Sequence, residues 1–152
     1  MDNANPLVYE KSVARKFSDR DYEDDEQGDE FDAREIYDMI RGIRDPEHPF
    51  TLEQLHVLDE ANVQVEDKKG LVKVHFTPTI THCSAATLIG LSIIVKLMRC
   101  LPRRFKVDVR ITKGSHDTED AINKQLNDKE RVSAAIENPS LLKAINRCLI
   151  EE

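Results

Sequence analysis

A chain of 152 residues with 39% hydrophobic and 34% charged residues is long enough to bury one core without covalent staples. Its net charge of −7 is local: residues 1–30 carry ten acids against four bases, and residues 31–152 carry nineteen against eighteen. With no basic excess there are few counterions to release, which argues against a protein that grips nucleic acid through its phosphates. The longest apolar stretch, Ala85 to Val95, falls short of the ~20 residues that cross a bilayer. The start Met1-Asp2-Asn3 lacks the basic and apolar parts of a secretory signal, so no export route is expected. Three cysteines, Cys83, Cys100 and Cys148, form neither an even set nor a CxxC, which suits a reducing cytosolic compartment.

In chain order, Ser18 to Glu30 is a block of like charge with little to bury. Residues 1–30 are therefore expected to be an acidic, disordered tail, and residues 31–152 a single domain. Asp32 is a suitable N-cap for a helix that presents Ile36, Met39, Ile40 and Ile43 at helical spacing and ends before Asp45-Pro46. Thr51-Leu-Glu-Gln54 has the pattern of a capping box and predicts one short helical turn through His56. Three segments then alternate with period two: Asn62 to Glu66, Val72 to Phe76, and Phe105 to Ile111. Asp67-Lys-Lys-Gly70 joins the first two as a hairpin turn. Between the second and third, Ser84 to Leu101 reads as a buried helix with one wet edge at Ser92, Lys96, Arg99 and Arg103, stopped by Pro102. A helix of that length returns the third strand parallel to the second through a right-handed crossover. The expectation is a two-layer α/β fold: a three-stranded mixed sheet with helices on one face and a polar opposite face made by Gln64, Lys73, His75, Lys106, Asp108 and Arg110. Three further helices follow, capped by Asp117 or Thr118, by Asp128, and by Asn138-Pro139.

Parallel strands place ligand-binding loops at their carboxyl ends. Here these are Thr77 to Ser84 and Thr112 to Asp117, so His82, Cys83, Ser115 and His116 are candidates to converge at one sheet edge. Cys83 opens the crossover helix, where the dipole lowers a thiol's pKa. A thiolate with imidazoles suits zinc, iron or part of an iron-sulfur cluster, and equally a nucleophile with its base. Against both stands the plain alternative of a small helix-start residue beside ordinary loop histidines. Cys100 and Cys148 read as buried hydrophobes within helices. Asp45-Pro-Glu-His-Pro49 reads as a helix terminator, with a partner or ligand site as the alternative. The polar run Asn123 to Arg131 reads as a solvated helix junction.

Four longer segments carry more than spacing does: NANPLVY at residues 3–9, REIYDMIRGIRDPEHPFTLEQLHVL at 34–58, FTPTITHCSAATLIGLSI at 76–93 and GSHDTEDAINKQLNDKERVSAAIENPSL at 114–141. Their order and content closely resemble the component-two family of cytosolic iron-sulfur protein assembly, the Galla or MIP-type proteins, and its B-type targeting branch more than the A-type paralogue. The resemblance implies an iron-sulfur cluster assembly-type domain that acts as an adaptor and not as an enzyme. It further implies work beside a WD-repeat propeller subunit and a HEAT-repeat scaffold subunit, delivering clusters to apoproteins such as DNA polymerases and helicases. Location would be cytoplasmic, with the nucleus as a further compartment, and chromosome segregation would be affected through the clients. The family's reactive cysteine, in HCS, falls on Cys83, and its loop histidine falls on His116, with His82 as a further candidate. A cluster held transiently by Cys83 and His116 needs about four ligands, so a second copy, a partner or the client is expected to supply the others, and the chain is expected to form a homodimer. Two departures stand out: Ala85 where the family usually has methionine, and Lys113 where it usually has proline, which predicts altered packing beside Cys83 and a looser second loop. A cysteine-nucleophile enzyme using Cys83 and His116, and a scaffold without cluster chemistry, are the alternatives.

Overall fold

The structure is a computed structural model and describes residues 31–79, 83–116 and 118–150, with Cys83 described by its backbone alone. The acidic segment 1–30, His82, the Cys83 side chain and Asp117 lie outside the described residues.

Helix α1 (Ala33–Ile40) starts where Asp32 accepts the N–H of Glu35 on its side chain, the expected N-cap. It stops at Ile40, earlier than the spacing predicts. Ile43 lies beyond the helix yet is as buried as Ile36 and Ile40, because the chain folds back there and Leu52 N–H donates to the Ile43 carbonyl. The Thr51–Gln54 capping box forms in both directions: Gln54 N–H donates to Thr51 Oγ1 at 3.2 Å and Thr51 N–H to Gln54 Oε1 at 3.1 Å. No regular helix follows. His56 takes φ +58°, and His56 N–H to the Glu53 carbonyl with Val57 N–H to the Leu52 carbonyl closes the turn as a Schellman motif. The turn is tied to α1 by Glu53, which is 7% exposed, accepts from Tyr37 Oη at 2.9 Å and pairs with Arg41 at 2.8 Å.

Strands β1 (Val63–Glu66), β2 (Leu71–Phe76) and β3 (Lys106–Ile111) lie in that order, β1 antiparallel and β3 parallel to β2. The hairpin Asp67–Gly70 closes through Gly70 at φ +63°, where a Cβ would meet the Arg104 carbonyl oxygen at 2.6 Å; only glycine fits both demands. Gln64, Lys73, Lys106 and Arg110 are exposed on one face, while Val63, Val72, Val74, Phe76, Val109 and Ile111 are buried under the helices on the other. The crossover helix α2 (Cys83–Cys100) joins β2 to β3 as expected, but its wet edge is narrower. Ser92 is fully buried beneath the C-terminal helix and satisfies itself by donating to the Leu88 carbonyl at 2.8 Å. Among the described residues the exposed positions of α2 are Ser84 in the first turn and those of the last turn. There Arg99 and Met98 are exposed, and so is Cys100, against the expectation that it belongs to the core. Cys148 is buried, as expected.

The chain ends in α3 (Glu119–Leu126), α4 (Lys129–Glu137) and α5 (Pro139–Leu149). Asp128 and Asn138 cap the last two with their side chains, each accepting two backbone N–H groups. Residues 123–127 are not simply solvated. Ile111 N–H donates to Asn123 Oδ1 at 2.8 Å and Asn127 Nδ2 donates to the Val109 carbonyl at 3.2 Å, so two asparagines one helical turn apart satisfy part of the outer edge of β3.

Candidate functional site

The paired ends of β2 and β3, Phe76 opposite Ile111, send both following loops out at one edge of the sheet. They are joined at their base: Thr112 N–H donates to the Phe76 carbonyl at 2.8 Å, and Thr77 Oγ1 donates to Thr112 Oγ1 at 2.8 Å. The first loop leads into the N-terminus of α2 at Cys83. The second carries His116. Thus the topology brings the two candidate stretches to the same edge, while any approach of the Cys83 or His82 side chain to His116 lies outside the described residues.

The second loop is well built. Ser115 N–H donates to the Thr112 carbonyl at 3.1 Å and Gly114 sits at φ +82° in the third position, the arrangement of a type II turn. Ser115 Oγ donates to that same carbonyl at 2.6 Å, and Gly114 N–H donates to the Glu119 carboxylate at 3.1 Å. Lys113 therefore occupies the position where proline is favoured, and the loop closes without it.

His116 is 9% exposed. Its Nδ1 accepts the backbone N–H of Thr118 at 3.1 Å, with the Thr118 hydroxyl 3.0 Å from the same nitrogen. A ring nitrogen that accepts an N–H carries no proton of its own, so the neutral imidazole bears its proton on Nε2. Nε2 is buried without a hydrogen-bond partner among the described residues. An unpaired buried donor costs about 1–3 kcal/mol, which marks a place for an acceptor. The arrangement suits donation from Nε2–H to an anion or a sulfur. Metal ligation through Nε2 requires the proton to move to Nδ1 and the Thr118 contact to break.

Among the described residues no group of three His, Cys, Asp or Glu side chains is placed to hold a metal ion. The Asp45-Pro-Glu-His-Pro49 segment is a loop and terminates no helix, because α1 has already stopped at Ile40. Asp45, 5% exposed, accepts the N–H groups of Glu47 and His48 at 2.8 and 3.2 Å, and its second oxygen lies 3.5 Å from Thr79 Oγ1. Burial pushes its carboxyl above the usual value against the pull of those N–H groups. The Cys148 thiol is likewise raised by burial. Two features of the site escaped sequence reasoning: the Thr77–Thr112 clasp and the Thr118 contact that orients His116. Hydroxyls directly after two parallel strands are the signal for the first; the second depends on a backbone turn that no pattern announces.

Residues 33–111, from α1 through β3, match a family described as iron-sulfur cluster assembly protein, so this part of the fold is an iron-sulfur cluster assembly domain. Over nearly full length the chain is similar to mouse "Cytosolic iron-sulfur assembly component 2B", 59% identical over 98% of this chain and 91% of the mouse protein. It is 55% identical to Drosophila melanogaster "MIP18 family protein galla-2", over 98% of this chain and 95% of the fly protein. It is 53% identical to Arabidopsis thaliana "Protein AE7", over 99% of this chain and 96% of the plant protein. The chain belongs to the cytosolic iron-sulfur assembly component 2B or MIP18 family. Among the described residues no helix is long and apolar enough to cross a membrane.

Proposed function

We propose that this protein is a non-enzymatic cytosolic adaptor that delivers iron-sulfur clusters to apoproteins as one subunit of a targeting complex, with Cys83 as the residue that handles the cluster. The observation that carries this reading is the near full-length similarity to a cytosolic iron-sulfur assembly component. The site supports it in kind: a cysteine at the start of the crossover helix and an imidazole donor on the neighbouring loop leave the sheet at one edge. In this reading the cluster is cargo. One cysteine falls short of the roughly four ligands a cluster takes, so the others come from a second copy, a partner or the client. His116 assists by donating Nε2–H to the thiolate or to a cluster sulfur, and His82 stands beside Cys83 in sequence as a further donor. A WD-repeat propeller and a HEAT-repeat scaffold are the expected companions, with DNA polymerases and helicases among the clients, in cytoplasm and nucleus.

The test is Cys83→Ser in the full chain. Loss of cluster incorporation into a client, with the propeller and HEAT-repeat subunits still co-purifying, is the expected result. Unimpaired client maturation would overturn cluster handling and leave a scaffold. His116→Gln separates the two uses of the imidazole: a glutamine amide keeps a donor near the Nε2 position, so client maturation is largely retained if His116 donates and abolished if it ligates.

A further inference from the structure

Outside the cluster-handling edge, a groove of about 540 Å³ runs along the outer side of β3, between that strand and the helices α2 to α4. Among the described residues no strand pairs with this side of β3, and the two asparagines of α3 engage it at Val109 and Ile111. The groove is strongly basic. Arg103, Arg104, Lys106, Arg110 and Lys129 line it against the single carboxylate of Asp108. Arg104 and Arg110 are paired with Asp67 and Asp108, whereas Arg103, Lys106 and Lys129 have no ion-pair partner among the described residues. Its floor holds Val107 and Met98, the latter 58% exposed.

The first described residue, Phe31, sits at one end of this groove. Its N–H donates to Asp67 at 2.9 Å, and its ring packs edge-on to Phe105 at 5.3 Å, beneath the Arg104 guanidinium. Immediately before Phe31 comes Ser18 to Glu30, with eight acids and one base. A six-residue strand is about 20 Å long, and thirteen residues of extended chain reach about 43 Å, so this segment spans the groove with length to spare. Tethering at the groove's own rim gives it an effective concentration in the millimolar range, which a separate acidic partner must exceed.

We propose that the groove along β3 is the docking surface for the chain's own acidic segment, residues 18–30, held by charge against Arg103, Lys106 and Lys129. The excess negative charge of the molecule then serves to cover its exposed sheet edge.

Zero-length carbodiimide coupling, which joins only carboxylates and amines already in contact, tests this on the full chain, using a mixture of ¹⁴N- and ¹⁵N-labelled protein. Links within one chain from acids 21–30 to Lys106 and Lys129, well above those to the equally exposed Lys73, Lys113 and Lys143, are the expected result. Arg103→Glu, an exposed change that leaves both reporter lysines in place, should lower their yield about fivefold, as should molar salt, which shortens the screening length to ~3 Å. Even labelling of all exposed lysines, or no effect of Arg103→Glu, overturns the proposal. Links only between differently labelled chains overturn it in favour of a second copy.

Discussion

Cys100 and Cys148 have nearly the same sequence surroundings, each between an arginine and a leucine in the last turn of a helix, yet opposite fates. Cys148 faces Ser92 across the contact between α2 and α5, and burial raises its thiol pKa. Cys100 is the last residue of α2 and is exposed among the described residues. Thiol reactivity follows thiolate content and access. Iodoacetamide under native conditions should therefore modify Cys100 and spare Cys148 until the chain is unfolded, as read by peptide mass mapping; equal labelling would contradict the packing. Any study of Cys83 chemistry needs a Cys100→Ser background for the same reason. His116 shows the same dependence on surroundings, since one backbone N–H, that of Thr118, decides which ring nitrogen is available.

Between elements, α2 and α3 approach closely at Gly90. A Cβ built there meets Leu126 Cδ1 at 2.5 Å, and Leu126 is buried. Alanine is worth about 1 kcal/mol more than glycine within a helix. Overpacking a filled contact costs about 1–3 kcal/mol, so the steric term wins and Gly90→Ala should destabilise. Combining it with Leu126→Ala should remove that penalty, and a double-mutant cycle by chemical denaturation measures the coupling. The second loop makes the opposite case. Lys113 occupies the second position of a turn whose third is Gly114 at φ +82°, so proline fits there. Lys113→Pro should stabilise by about 0.5 kcal/mol through the unfolded chain, seen as a rise in Tm of about 2 °C. A fall in Tm would show that the Lys113 backbone departs from the turn geometry. The looser loop expected from this lysine is countered by three hydrogen bonds that involve Thr112, Ser115, Gly114 and Glu119 and need no ring at residue 113.

For the molecule as a whole, Asp45 stands where distant parts meet. The preceding residue, Arg44, donates its N–H to the Cys148 carbonyl at the end of α5, and Asp45 itself reaches Thr79 beyond β2. Its folded pKa lies above the unfolded value of 3.8, so the folded state holds that proton more tightly. The contribution of Asp45 to stability is then most favourable below 3.8 and is lost as pH rises through the folded value. Asparagine keeps an oxygen for the N–H groups of Glu47 and His48 without the charge. Asp45→Asn should match the parent at pH below 3.8 and exceed its stability at pH 7, measured by denaturant titration across pH. Identical curves would show that the carboxylate stays solvated in the folded state.

Much of this protein is legible without coordinates, because period-two runs, caps and turn residues are local signals. The three strands, the N-caps Asp32, Asp128 and Asn138, and Gly70 in the hairpin all follow from neighbours in sequence. So does the common edge for the loops bearing Cys83 and His116, since a helical crossover forces parallel strands. Contacts between distant segments are a different matter. Whether Ser92 is wet depends on α5, fifty residues later; whether Asn123 and Asn127 face water depends on the outer edge of β3; whether Cys100 is buried depends on what packs against the end of α2. The charge of −7 has the same character. Its location in residues 1–30 is plain arithmetic, but only the fold puts residue 31 against Phe105, beside a basic groove. Periodicity reports which face of an element is apolar, and only packing determines what lies against it.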